Sequence, residues 1–504
     1  MLSRAINLHL TEHDILTAKT TLSTSEPEDP ESSSNLSTLS ASSSSSSRWR
    51  LRFRHRVLMT RSIIPFAWPI LLELVCVVLM GITSTVLVSR IGKDATAAVG
   101  ITDSVTYIIL SLLSAIALGG SVLIAQAFGR HDRQKIQLGA GQTMNLGFVV
   151  SLLCCGVMYF FTEPVLTLVA YGADPKVIAL AGQYLKMVAL SYPALAIALS
   201  GSGILRAIGN SRSPATANIL MNVLNIVFSY PLIYGIESFG WHGLGILGAG
   251  IGVCAARWIG AGMILFVLAR NRSQRIPLST FITPFKRLIL GEILLIGVPA
   301  SVESLMFNIG KLITQIMVAG MGTSVMAGNV ITFSVLLFVN IPGNALSMAA
   351  TILVGKRLGQ NQTRIAQLET WLILLLSTIA LIILSLIFIP LSHPISAIYS
   401  QDPEVIEIVI NLVMINAAMI LLWSPSFVLP SAFKGAKDVK FSMWSAIASM
   451  WGCRIVLGYL LGIEANLGVY GIWLGMYADW LIRAVLYLHR MVTRRWLSLH
   501  RSNS

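Results

Sequence analysis

Apolar stretches long enough to cross a bilayer recur along almost the whole chain, and no other feature limits its fold so tightly. Each run of 18 or more apolar residues spans ~30 Å of hydrocarbon as a helix. In lipid every backbone polar group must be satisfied inside the protein, so such runs become helices packed on one another. Helices are expected near residues 63–88, 97–127, 138–161, 177–203, 215–236, 245–269, 289–319, 327–355, 369–391, 405–430, 441–463 and 468–489. Composition agrees: 12% of the 504 residues are charged, against about 25% in a soluble domain.

The net charge of +14 is unevenly spread. Alternate connections hold the basic residues: Arg48 to Arg61, "GRHDRQK", "LRAIGNSRS", "RNRSQR…FKR", "GKRLGQNQTR", "FKGAKDVK" and the tail from Arg490, 26 in all. The opposite side has only Arg90, Lys93 and Lys176. By the positive-inside rule both termini belong in the cytoplasm, as an even number of spans requires. The charge is therefore topological, and nucleic acid is not needed as a partner.

Residues 1–60 read as a Ser-rich, disordered tail ending in the basic, aromatic stretch "RWRLRFRHR", suited to anionic lipid. They hold no signal peptide, and initiation at Met59 is an alternative start. The five cysteines (Cys76, Cys154, Cys155, Cys254 and Cys453) fall in the expected spans. They lack metal-ligand spacing and read as packing residues. No P-loop and no catalytic constellation is visible in the sequence, so neither an ATPase nor another enzyme is expected, and no cofactor.

The two halves repeat. Residues 66–105 lie on 296–335 at a constant offset of 230, with nine of forty positions identical, among them Pro69/Pro299, Glu73/Glu303 and Gly92/Gly322. The offset persists at Gly129/Gly359, while "YGADPKVI" matches "YSQDPEVI" and "LRAIGN" matches "FKGAKD" at 228. A six-helix repeat keeps its orientation, so the copies are expected to be related by an axis along the membrane normal. The predicted fold is an all-α membrane protein, twelve transmembrane helices in two pseudo-symmetric six-helix lobes around a central cleft. Its parts are the tail (1–60), an N-lobe (61–270), a cytoplasmic linker (271–288), a C-lobe (289–490) and a basic cytoplasmic tail (491–504). Such halves rock about a substrate near the midplane, which favours a secondary transporter.

Several stretches resemble the multidrug and toxic compound extrusion (MATE) family: "GITSTVLVSRIGKDATAAVG", "LIAQAFGRHDRQK", "GSGILRAIGNSRSP", "NVLNIVFSYPLIYG" and "LGAGIG". The resemblance covers about residues 62–490. It implies a twelve-helix antiporter exchanging H⁺ or Na⁺ for organic substrates, drug-like or metabolite. The partners expected are a small organic substrate and the lipid bilayer of the inner membrane, with the protein a monomer. A related flippase for a lipid-linked precursor is the alternative. The Gly-Asp-Arg-Gly loop of major facilitator transporters fits less well, because Gln134 follows Arg133.

The chain also departs from the family pattern. The Asp-Thr expected near the end of helix 1 is Ser84-Thr85, and the helix 5 acid after Asn225 is Ser229. A C-lobe Glu eight residues beyond the helix 7 proline falls on Phe307. The usual ion site therefore cannot be carried over. Ionisable residues inside a membrane are costly and mostly functional. Of those present, Glu73, Glu303 and Asp103 are the ion-coupling candidates, Glu73 and Glu303 because the duplication keeps both. Lys311, Asn222, Asn225, Ser84, Ser229 and Phe307 are the cleft and substrate candidates. Lys311, which stands where the repeat has Gly81, suits an anionic or zwitterionic substrate. Asp479 and Arg483, at i and i+4, are expected to pair.

Overall fold

The computed structural model describes residues 36–170, 174–236, 241–270, 276, 280–281 and 283–497. Residues 1–35, most of the expected tail, and 498–504, within the C-terminal tail, lie outside them. The chain divides into two units, Met1–Met59 and Thr60–Ser504. In the former, residues 36–59 are helical, including Ser-rich positions expected to be irregular.

The first half of the chain comprises α1 (Leu36–Ser89, apolar span Ser62–Ser89), α2 (Lys93–Gly129), α3 (Arg133–Phe160), the short α4 (Thr162–Val169), α5 (Pro175–Ala189), α6 (Tyr192–Ala207), α7 (Arg212–Tyr234) and α8 (Ile246–Arg270). The second comprises α9 (Arg287–Ala319), α10 (Thr323–Gly359), α11 (Thr363–Tyr399), α12 (Pro403–Met419), α13 (Trp423–Gly435), α14 (Val439–Ser449), α15 (Val456–Tyr459) and α16 (Gly468–Val492). A two-residue antiparallel ladder pairs Gly235 with His242 and Ile236 with Trp241. Among the described residues ten helices are long and apolar enough to cross a membrane, or eleven if α5 and α6 count as one.

The expected helix at 177–203 is instead two, α5 and α6, bent by 47°. Pro193 in the first turn of α6 has no N–H to continue α5, whereas at a helix start that donor is unpaired anyway. The expected helix at 441–463 is interrupted by π turns at Met450–Ile455 and Leu460–Glu464.

The sequence repeat reappears as matched local chemistry. Asp174 and Asp402 each cap a helix that begins with proline, accepting from the amide N–H of Lys176 (2.9 Å) and Glu404 (3.0 Å). Gly92 and Gly322 precede α2 and α10 with φ of +144° and +119°, a backbone that side chains rarely adopt.

The halves meet where α2 packs on α9 and α10. Nearly every residue of α2 from Leu113 to Gly129 is buried, whereas Asp103, Ser104, Tyr107 and Ile108 toward its start are exposed. The joint thus lies at the end of α2 that leads into the basic connections. Its tightest point is reciprocal. A Cβ on Gly129 would strike the carbonyl of Lys356, and one on Gly359 would strike the carbonyl of Gln126. Gln126 and Lys356 are themselves 230 residues apart, so each half offers the other the same surface, as a two-fold contact requires. Gln126 also donates to the Gly435 carbonyl at 2.9 Å, and Glu292 bridges Lys135 (2.8 Å) and Lys437 (2.9 Å).

The linker is fastened to the first half. Gln142 and Asn145 of α3 donate to the carbonyls of Pro284 (2.9 Å) and Thr283 (3.0 Å).

Candidate functional site

Glu73 lies on α1, four residues after Pro69, and is 7% exposed. Its partner is Arg206, in the last turn of α6 and 8% exposed. The Arg206 Nη2 donates to both carboxylate oxygens at 2.6 Å, and Asn218 of α7 donates to Oε1 at 2.7 Å. A buried carboxylate costs several kcal/mol unless a cation and hydrogen bonds compensate it, and here both are present. Helical side chains lean toward the N-terminus, so an arginine in the last turn reaches back into the protein.

Glu303 on α9 repeats the arrangement. Lys434 of α13 donates to its Oε1 at 3.0 Å, and Ser442 to its Oε2 at 3.4 Å. Glu73 and Glu303 are 230 residues apart and Arg206 and Lys434 are 228 apart, the two offsets found in the sequence. The sequence assigns Arg206 and Lys434 to basic connections; the structure instead turns both inward onto the glutamates. The match of "LRAIGN" with "FKGAKD" was the signal that they belong to the repeat.

Three cavities surround these pairs. One of about 530 Å³ in the first half is lined by Glu73, Ser84, Asp103, Asn222, Asn225 and Arg257, and also by Ser229. Within it Ser229 donates to Asn225 Oδ1 at 3.1 Å, the Nδ2 of Asn222 has no hydrogen-bond partner, and Arg257 donates to Ser191 at 2.8 Å. Asp103 is exposed to the cavity, with Arg257 as the cation in its field. A second cavity, about 260 Å³, lies in the other half against Glu303, Phe307 and Lys434. The third, about 500 Å³, lies between the halves, and both Arg206 and Lys434 line it. The Nε of Arg206 has no hydrogen-bond partner.

The remaining candidates cluster in the second half. Asp479 pairs with Arg483 at 2.7 Å, as the i, i+4 spacing predicts, and with Arg454 at 3.5 Å. Arg454 is carried by the π turn, an irregularity found disproportionately at functional sites. Its guanidinium and that of Arg483 lie 5.4 and 5.8 Å from the Phe307 ring centre. Lys311 sits 5.3 Å from the Phe333 ring centre.

The MatE family model matches twice, over residues 69–231 and 299–460, and the two matches begin 230 residues apart. The chain belongs to the MatE family. It is a membrane transporter, not an enzyme. Among its relatives, an uncharacterized transporter, YisQ, of Bacillus subtilis (strain 168) is 27% identical over 442 residues, 87% of this chain and 95% of its own length. A probable multidrug resistance protein, NorM, of Thermotoga maritima is 26% identical, covering 86% and 93%. A crystal structure of a MATE protein in complex with MaD3S superposes with a TM-score of 0.81 at 18% identity, covering 88% of this chain and 97% of that one. The repeat, the packing and the family match thus describe one architecture. Within this MatE chain, serines stand at 84 and 229, and both line the first-half cavity.

Proposed function

We propose that the chain is a secondary active antiporter that exports organic substrates, drug-like or metabolite, in exchange for H⁺ or Na⁺ by alternating access. In this reading it has twelve spans in two six-helix lobes around a cleft, with α5 and α6 as one broken span and Gly468–Val492 as the twelfth. It works as a monomer in the inner membrane with both termini in the cytoplasm, a reading supported by the basic connections even with Arg206 and Lys434 turned inward. It requires no cofactor beyond the coupling ion. The multidrug resistance name of a relative supports the substrate class.

The observation that carries the proposal is the duplicated carboxylate–cation pair. Glu73 and Glu303 each hold a cation that lines the space between the halves. A proton or Na⁺ arriving at the carboxylate competes with Arg206 or Lys434, and the displaced cation changes the charge of that space. Occupancy by the ion and the preferred state of the cleft are then linked, as coupling demands. Asp103 takes up the ion in the first-half cavity, and Ser84, Ser229, Asn222 and Asn225 supply hydroxyl and amide groups to ion or substrate. The chain belongs to a branch in which the usual N-lobe acids are serines.

Export into inverted vesicles under separate H⁺ and Na⁺ gradients tests this, with wild type, Glu73→Gln and Glu303→Gln compared per folded protein. Coupled export is expected to fall in both variants. Undiminished coupling in both overturns the role of the pairs.

A flippase for a lipid-linked precursor is the second reading, favoured by Arg206 and Lys434 facing one cavity as two cations would face a pyrophosphate. Precursor translocation with no dependence on either gradient would decide for it.

A further inference from the structure

The second half carries a surplus of positive charge inside the membrane. Around Asp479 stand Arg454 and Arg483, one carboxylate between two guanidinium groups. Lys311 adds a third cation, and its charged neighbour is Arg454, of the same sign. Cations in lipid are normally paired, and here the local balance falls short by two negative charges. The first-half cavity differs: around it Glu73 and Asp103 stand against Arg206 and Arg257, two charges of each sign.

The surplus borders a cavity of about 230 Å³ lined by Lys311, Gln315, Asn329, Phe333, Arg454 and Trp473. Among the described residues no carboxylate lines it. Arg454 is 5% exposed, and its Nε lies 3.5 Å from Asp479 Oδ2 without forming a hydrogen bond, so a carboxylate already shared with Arg483 leaves this buried guanidinium under-compensated beside the cavity. Asn329 accepts the Trp473 indole N–H at 2.9 Å, leaving its own amide N–H groups to donate. Phe333 and Trp473 lie 5.2 Å apart with planes inclined at 35°. Two aromatic faces, two cations and an amide donor around a small space form one recognition surface.

We infer that this cavity binds a planar aromatic anion, its ring against Phe333 and Trp473 and its acidic group between Lys311 and Arg454. The inference deepens the antiporter reading by naming a substrate class, and its role in export rests on that reading. The volume suits a one- or two-ring acid, below the usual 300–1,000 Å³ of drug-sized sites. Lys311 is the group that sets specificity, because its ammonium lies over the Phe333 ring and, among the described residues, has no ion pair, so it is placed to meet an anion.

The test is equilibrium binding to the full chain in lipid nanodiscs, read by tryptophan fluorescence with no gradient present. The probes are naphthalene-2-sulfonate, the neutral naphthalene-2-sulfonamide and the cationic 2-naphthylmethylammonium. Wild type is expected to bind the sulfonate most tightly. Lys311→Gln is expected to weaken the sulfonate about tenfold or more, the worth of one charge-assisted hydrogen bond, and to leave the sulfonamide nearly unchanged. Lys311→Arg is expected to restore most of the loss. Equal binding of all three probes, preference for the cation, no saturable binding, or an anion preference that survives Lys311→Gln each overturns the inference. Because no gradient is used, gradient-coupled export without anion binding sinks this inference alone, while binding without export sinks the antiporter reading alone.

Discussion

Arg206 and Lys434 occupy equivalent places in the two copies of the repeat, and both line the cavity between the halves. Each is held from behind by a glutamate that the repeat also keeps, Glu73 at 2.6 Å and Glu303 at 3.0 Å. The two pairs differ in environment. Glu73 and Arg206 side chains are 9% and 10% exposed, against 15% and 16% for Glu303 and Lys434.

Removing one partner of the more buried pair leaves an uncompensated charge. Glu73→Gln is expected to cost on the order of 3 kcal/mol, within the range for breaking a buried pair. The double variant Glu73→Gln with Arg206→Gln should recover a large part of that cost, because no charge is then stranded. Thermal unfolding of the purified variants measures both. A double variant no more stable than Glu73→Gln contradicts the coupling. The same cycle on Glu303 and Lys434 should give a smaller value, as water reaches that pair more easily.

Asp103 separates function from stability. It faces the first-half cavity and, among the described residues, makes no hydrogen bond or ion pair, so Asp103→Asn is expected to change stability by less than about 0.5 kcal/mol. Ion-coupled export should nevertheless fall, since the variant cannot take up a cation. Melting temperature and vesicle export, measured on the same preparation, check this. A large loss of stability would reassign Asp103 to a structural role.

The two kinds of candidate show how far a sequence reaches. The Glu73/Glu303 repeat and the Asp479–Arg483 pair are legible because they depend only on register and helical spacing. Arg206 and Lys434 were less so, because whether a basic residue at a helix end meets water or turns inward depends on side-chain direction and on where the helix stops. The break between α5 and α6 sets that stop, and its sole trace in the sequence is Pro193. Arg454 is hard to read from the sequence for a related reason: the π turn that delivers it to Asp479 has no periodicity of its own.

Gly359→Val tests the joint between the halves. The new side chain would collide with the Gln126 carbonyl, so α2 and α10 must separate. With the native cysteines replaced, spin labels at Arg130 and Arg364 are expected to report a longer distance than in the parent. An unchanged distance distribution would show that the joint absorbs the extra volume elsewhere.

Glu292→Gln should loosen the same joint more gently. Glu292 bridges Lys135 and Lys437, but all three are about a third exposed, so each contact contributes about 1 kcal/mol or less. The expected shift between closed and open populations is several-fold, read with the same spin labels. Raising the salt concentration should mimic it in the parent and have little further effect in the variant.

Helices α2 and α10 are 37 residues each, or about 55 Å at 1.5 Å per residue, while the hydrocarbon core is only ~30 Å thick. They cross at their last residues, Gly129 and Gly359. The joint does not end there: a Cβ on Gly119 would meet the Ile293 carbonyl, and one on Gly297 would meet the Ala115 carbonyl. From Ala115 to Gly129 the contact runs about 20 Å along α2, so parting the halves at one end leaves the rest of the seam holding, and the joint must yield along its length at once.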